Sequence, residues 1–137
     1  LMGCSGRPVA ENMTPEWVES RAWIWLHYAV VKLGRGELFG AGGMLSFFRE
    51  QVLGPMLFRR ANLPQRGVRR IEALGIDPDG LLTSTLATHD RHSVGIAIRR
   101  AADAYVNLRA DALPDNIADD AARRAVLAML DAYSHNG

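Results

Sequence analysis

Arg21, Trp25, Tyr28, Lys32 and Arg35 recur at spacings of three and four residues. On a helix turning 100° per residue they share one stripe about 80° wide. Arginine offers a planar fork for anions, lysine a point charge, and the two rings offer stacking surfaces, so the stripe suits a phosphate or an acidic acceptor. Glu37, just beyond, has the chemistry to orient a hydroxyl or amine; the reading preferred for it is a helix-dipole partner or an ion pair with Arg35 or Arg66. Arg21 and His27 could divide a phosphoryl reaction, with imidazole as acid or base and guanidinium steadying the phosphate. Six residues of helix, however, rotate them about 120° apart. His27 then falls beside Trp23 and Val30, which predicts a core histidine. His89, Asp90 and His92 have the types to hold a divalent ion, but completing the set needs an upstream histidine and a later aspartate, for which His27 and Asp103 stand only by default. Asp90 at the head of a helix is better explained as its cap. No metal ligand and no catalytic residue is therefore assigned.

The glycine-rich run Gly34-Arg35-Gly36-Glu37-Leu38-Phe39-Gly40 matches neither dinucleotide nor phosphate-loop spacing, and a helix rather than a strand precedes it. Ser46, Ser84, Ser93, Ser134 and the single Cys4 lack the context of an activated nucleophile. Arg59, Arg60, Arg66, Arg69 and Arg70 cluster around a Pro-Gln-Arg-Gly turn, a pattern that reads first as a solvated face and second as an anion site.

These residues must be positioned by helices. Thr14-Pro15-Glu16 is a helix start, with a capping hydroxyl, a proline at the first position and an acid at the positive end of the dipole. The helix should run to the Gly34-Arg35-Gly36 turn, with Trp23, Leu26, Val30 and Leu33 inward. A second should begin at Glu37 and carry Leu38, Phe39, Met44, Leu45, Phe47, Phe48, Val52 and Leu53 to the core, until Gly54-Pro55 breaks or kinks it before Met56 to Ala61. Gly40, Gly42 and Gly43 within it imply a close helix contact or a weak point. Short helices are expected over Val68 to Leu74 and Leu81 to Ala87, the latter capped by the Asp77-Pro78-Asp79-Gly80 turn. Long ones are expected from His89 to Leu108, with Val94, Ile96, Ile98, Ala101, Ala102, Tyr105, Val106 and Leu108 inward, and, after Leu113-Pro114-Asp115-Asn116, from Ile117 to Tyr133, with Ala121, Ala125, Val126, Met129 and Leu130 inward. Sustained two-residue alternation is absent, so the expected fold is all-α: an up-and-down bundle of four main helices with short ones between. Residues 1–13 read as a leader or linker and 14–137 as one domain.

The 137 residues carry a net charge of +1 and are 48% hydrophobic, enough for one domain with a core of its own. One cysteine permits no internal disulfide. The longest apolar stretch, Ala22 to Val31, is half a membrane span, and the start has neither the charge nor the apolar run of a signal peptide. A cytoplasmic protein without a membrane partner is expected. The first 68 residues hold eight bases against five acids and the rest eight against ten, an imbalance too small to mark a nucleic-acid partner.

Trp23-Ile24-Trp25-Leu26-His27-Tyr28, then Lys32-Leu33-Gly34-Arg35-Gly36-Glu37-Leu38-Phe39, then Leu45-Ser46-Phe47-Phe48-Arg49 through Leu53-Gly54-Pro55 resemble the helical C-terminal domain of bacterial nucleotidyltransferase-like proteins, relatives of the aminoglycoside nucleotidyltransferases. Tyr105-Val106-Asn107-Leu108-Arg109 is a weaker element of the same likeness, which spans about residues 14 to 110. The resemblance implies a transferase in two parts: an N-terminal domain whose Gly-Ser pair and Asp-x-Asp motif bind nucleotide through magnesium, and a helical domain that closes the cleft on the acceptor. No Gly-Ser followed by Asp-x-Asp occurs in this chain; Asp77-Pro78-Asp79 has the spacing without the context. The chain therefore reads as the helical half of such a protein or a stand-alone descendant, inactive alone and without cofactor of its own. Its implied partners are an N-terminal nucleotidyltransferase domain and a small-molecule acceptor bound by Arg21, Trp25, Tyr28, Lys32, Arg35 and Glu37. Two alternatives stand beside it. One is a helical ribonuclease of the toxin (HEPN-like) type using Arg21 and His27, and the other is a homo-oligomeric interaction module presenting Trp17 and Trp25.

Overall fold

The computed structural model describes residues 14–111 and 118–136, without the side chains of 134–136. The leader 1–13, Cys4 and the turn at 113–116 lie outside the described residues. The architecture is an all-α helical bundle with no strand among the described residues.

Helix α1 (Pro15–Gly34) starts where its signals place it: Thr14 is extended and its hydroxyl accepts the Trp17 amide at 3.1 Å. Val18, Ala22, Trp23, Leu26, Ala29, Val30 and Leu33 form its buried face. Gly36 closes the following turn at φ +75°, a region that favours glycine. Helix α2 (Leu38–Phe48) does not stop before Gly54-Pro55. A π-helical turn, Arg49–Leu53, carries it directly into α3 (Gly54–Arg60). The Gly54 amide reaches back five residues to the Arg49 carbonyl, and Pro55 stands in the first turn of α3, where its missing amide costs nothing. The widened turn thus absorbs the proline that the sequence suggests would break or kink the helix.

The next two short elements are shorter than their sequence suggests. Gly67 and Arg70 both adopt left-handed backbone at φ +62°, so helix cannot propagate before α4, the single turn Ile71–Leu74. Over Leu81 to Ala87 only a 3-10 turn forms, Thr83–Thr85. Asp77 caps it as expected, accepting the Leu81 and Leu82 amides at 2.8 and 2.9 Å. Extension is prevented by Leu86, whose backbone turns extended.

Helix α5 (Arg91–Arg109) is capped by Asp90, whose carboxylate accepts the Ser93 amide at 2.8 Å. Helix α6 (Asp120–Asn136) completes the bundle. Helix α1 packs on α2, α5 and α6, and α5 packs in turn on α2, α3, α6 and both irregular turns. At their crossing Tyr105 meets Trp23 and Phe48 edge to face, with ring centroids 5.5 and 6.3 Å away. Several residues expected inside face out. His27 is exposed rather than core, Phe39 is 86% exposed, and Phe47, Ile96, Ala121 and Ala125 are also exposed. In α6 the buried line runs through Val126 and Leu130 instead.

Two glycines are required by close approach. A Cβ on Gly34 would lie 2.5 Å from the Tyr133 ring of α6, and one on Gly54 would overlap the Gly67 carbonyl oxygen. Of the three glycines expected to mark a close helix contact or a weak point, a Cβ on Gly40 would meet the Lys32 side chain at 3.1 Å, whereas Gly42 and Gly43 have open space beside them. Gly54→Ala is therefore expected to destabilise the fold by about 2–3 kcal/mol, because backbone must move. Gly43→Ala should stabilise it by about 0.5–1 kcal/mol through helix propensity. Urea denaturation of the two variants checks both signs.

Candidate functional site

Four of the five side chains of the predicted stripe lie on α1, Arg35 is its C-cap and Glu37 the N-cap of α2, and most of the six are engaged with one another or with the fold. Arg21 lies 4.3 Å over the Trp17 ring and bonds the Ser20 hydroxyl. Trp25 is half-buried between Trp17 and Phe47, at centroid distances of 6.0 and 5.0 Å. Trp17 and Trp25 thus pack on their own chain. Lys32 donates to Glu37 at 2.9 Å and passes 5.2 Å from the Tyr28 ring. Glu37 therefore pairs with Lys32 rather than with Arg35 or Arg66. The hydrogen bond raises the lysine and lowers the carboxylate. Arg35 is exposed. His27 stands exposed and apart from the ring-bound Arg21, and no described hydrogen bond prepares it for proton transfer. No group of three or more metal-ligating side chains occurs among the described residues; His89 instead stacks on Phe39, with centroids 4.5 Å apart.

The polar centre of the molecule is a carboxylate that the motif reading passed over. Glu19 is 3% exposed and takes four donors. Tyr105 Oη donates to Oε1 at 2.6 Å, and Oε2 accepts from Trp23 Nε1 at 2.7 Å, Arg109 Nη1 at 2.8 Å and the Asp119 amide at 2.7 Å. Burial alone would raise its pKa. The bonds from Tyr105, Asp119 and Trp23, with the Arg109 charge, outweigh burial and hold it below the ordinary glutamate range. Tyr105 moves the other way: burial and the neighbouring carboxylate both disfavour its phenolate. Arg109 also reaches Asp120 at 3.3 Å, so one guanidinium ties α5 to α1 and to the start of α6. The signal for Glu19 was present, since position 19 precedes Trp23 by one helical turn and falls on the apolar face with Leu26 and Val30.

Beside this network opens a cavity of about 460 Å³. Pro15 and Val18 of α1, Pro55 and Met56 of α3, and the Tyr105 ring make one apolar wall, and Leu63 and Pro64 close the loop side. Its polar groups are Arg59, Asn62, Gln65 and Arg109. Gln65 Oε1 accepts the Gly67 amide at 2.8 Å, and Nε2 is buried with no partner among the described residues. Arg60 is engaged, clamping Asp111 through two bonds and Asn107 through two more. Arg59, its neighbour from the predicted basic cluster, makes no hydrogen bond or ion pair among the described residues. The cavity falls within the roughly 300–1,000 Å³ of small-molecule pockets and shares their plan, apolar walls with a few convergent polar groups.

No protein-family model, curated protein or solved structure matches the chain. No described helix is long and apolar enough to cross a membrane.

Because the Glu19 pKa is depressed in the folded state, its contribution to stability is complete above the ordinary glutamate value of 4.5 and disappears as pH falls through the lower folded value. Glu19→Gln should cost about 3 kcal/mol at pH 7, roughly 10 °C in Tm, since Arg109 loses its buried counter-charge. The variant should also flatten the acid limb of the stability profile. Thermal melts between pH 3 and 7 test both effects.

Proposed function

We infer that this chain is a ligand-binding helical domain, not catalytic by itself, of the kind that accompanies the catalytic half of a nucleotidyltransferase-like protein and holds the small-molecule acceptor. The observation that supports it best is the cavity between α1, α3 and α5, which joins an apolar wall to Arg59, Asn62, Gln65 and Arg109. The sequence resemblance favours an acceptor-holding role, and the missing Gly-Ser and Asp-x-Asp pair favours dependence on a separate catalytic domain. The cationic and aromatic stripe of α1 is then the outer surface on which that domain would rest, with Tyr28 and Arg35 its exposed members. The working location remains the cytoplasm, where a nucleotide donor is supplied.

Leu63 stands on the loop side of the cavity and is 40% exposed, so a larger side chain there should narrow the cavity without disturbing the core. Ligand-observed NMR with a mixture of anionic, neutral and cationic fragments should show saturable binding to the wild type. Leu63→Trp should reduce that binding at least tenfold while leaving Tm within a few degrees. Absence of binding by every fragment, or binding indifferent to Leu63→Trp, overturns the reading. Addition of ATP with magnesium should leave the Tm of the isolated chain unchanged.

A further inference from the structure

We propose that the cavity selects a small monocarboxylic acid with an apolar body, its carboxylate held by Arg59 and its body lying along Val18, Met56 and the Tyr105 ring. The proposal rests on the ligand-binding reading above and adds the chemistry of the ligand. The charges around the cavity decide it. Arg109 is balanced by Glu19 at 2.8 Å and shared with the largely exposed Asp120, while Arg60 is balanced by Asp111. No acid lines the cavity among the described residues. Arg59 is left as the lining cation with no hydrogen bond or ion pair among the described residues.

A single guanidinium fork matches a single planar carboxylate through two parallel hydrogen bonds. A phosphate monoester brings nearly two negative charges at neutral pH, of which one arginine balances half. Gln65 supplies the second recognition element. Its Nε2 is a buried donor beside the cavity with no acceptor among the described residues, an arrangement that disfavours the empty state. The opposite wall, made by Val18, Met56 and Tyr105, has no free donor, because the Tyr105 hydroxyl is committed to Glu19. Charge is thus recognised at the Arg59 end and apolar shape along the wall.

The test uses the full chain and four probes that share one phenylalkyl body: 4-phenylbutanoate, 4-phenylbutan-1-ol, 4-phenylbutylamine and 3-phenylpropyl phosphate. Isothermal titration is run on the wild type, Arg59→Gln and Leu63→Trp, with thermal melts confirming that each variant folds. The expected order is carboxylate tightest, at least tenfold over the alcohol, with the amine weakest. Arg59→Gln should bring the carboxylate down to the alcohol's affinity and leave the alcohol unmoved. Equal binding of alcohol and carboxylate, tighter binding of the phosphate, or indifference of the carboxylate to Arg59→Gln overturns the proposal while leaving a ligand-binding domain in place. Failure of all four probes to bind overturns the proposal, and, where a broad fragment mixture also fails, the ligand-binding reading with it.

Discussion

The fold turns on a carboxylate that water cannot reach. An isolated ionised glutamate at the position of Glu19 would be costly, and only the convergence of four donors makes it tolerable. One donor lies a helical turn away on α1, but the others stand 86, 90 and 100 residues further along the chain. Their convergence fixes the register of α5 against α1 and the point at which α6 begins. Apolar contacts among Leu26, Val30, Ile98 and Leu130 could slide by a fraction of an ångström at little cost. A charge with four directed bonds cannot, so what this network contributes is specificity of arrangement more than net stability.

The cavity inherits that rigidity on one side only. Tyr105 and Arg109 are immobilised by Glu19, whereas the part of the wall from Pro55 and Met56 to Pro64 depends on α3 and the loop after it. That wall is set by the irregular passage from α2. The π turn brings Pro55 in without a break, and the absence of a side chain on Gly54 lets the Gly67 carbonyl come close, drawing the loop at 62–67 back over α3. Arg60 then clasps Asp111 and Asn107, fixing α3 against the end of α5 and leaving Arg59, one residue earlier and a hundred degrees around the helix, beside the cavity. Arg49 acts similarly lower down, donating to the Thr85 carbonyl and hydroxyl at 3.0 and 3.1 Å and holding the 3-10 turn to the π turn.

Local signals were legible in the sequence wherever the physics is local. Thr14 and Asp90 cap α1 and α5 because a hydroxyl or carboxylate beside free amides needs only three residues of context. The all-α class followed from helical periodicity, which needs one or two turns. Boundaries were lost where the backbone departs from the usual regions: left-handed Arg70 shortens α4, and nothing in its side chain announces that conformation. Glu19 was half legible, since an acid on an apolar face can be seen but its donors on α5 and before α6 cannot. Arg59 stood in a recognised basic cluster, yet its difference from Arg60 arises only when Asp111 folds back on one of them.

Residue type alone pointed to the stripe on α1; availability points elsewhere. A guanidinium lying on its own tryptophan, or an ammonium bonded to its own glutamate, has partners that a ligand must displace before it gains anything. Arg21 and Lys32 are in that position, and their exposed pairings contribute little to stability yet still compete with a ligand. Arg59 is exposed and starts without such a bonded partner among the described residues, beside the apolar wall of the cavity. The same arithmetic explains why Arg109, though it lines the cavity, serves as structure: its charge is already held by a carboxylate that would be left buried and uncompensated if a ligand drew the arginine away.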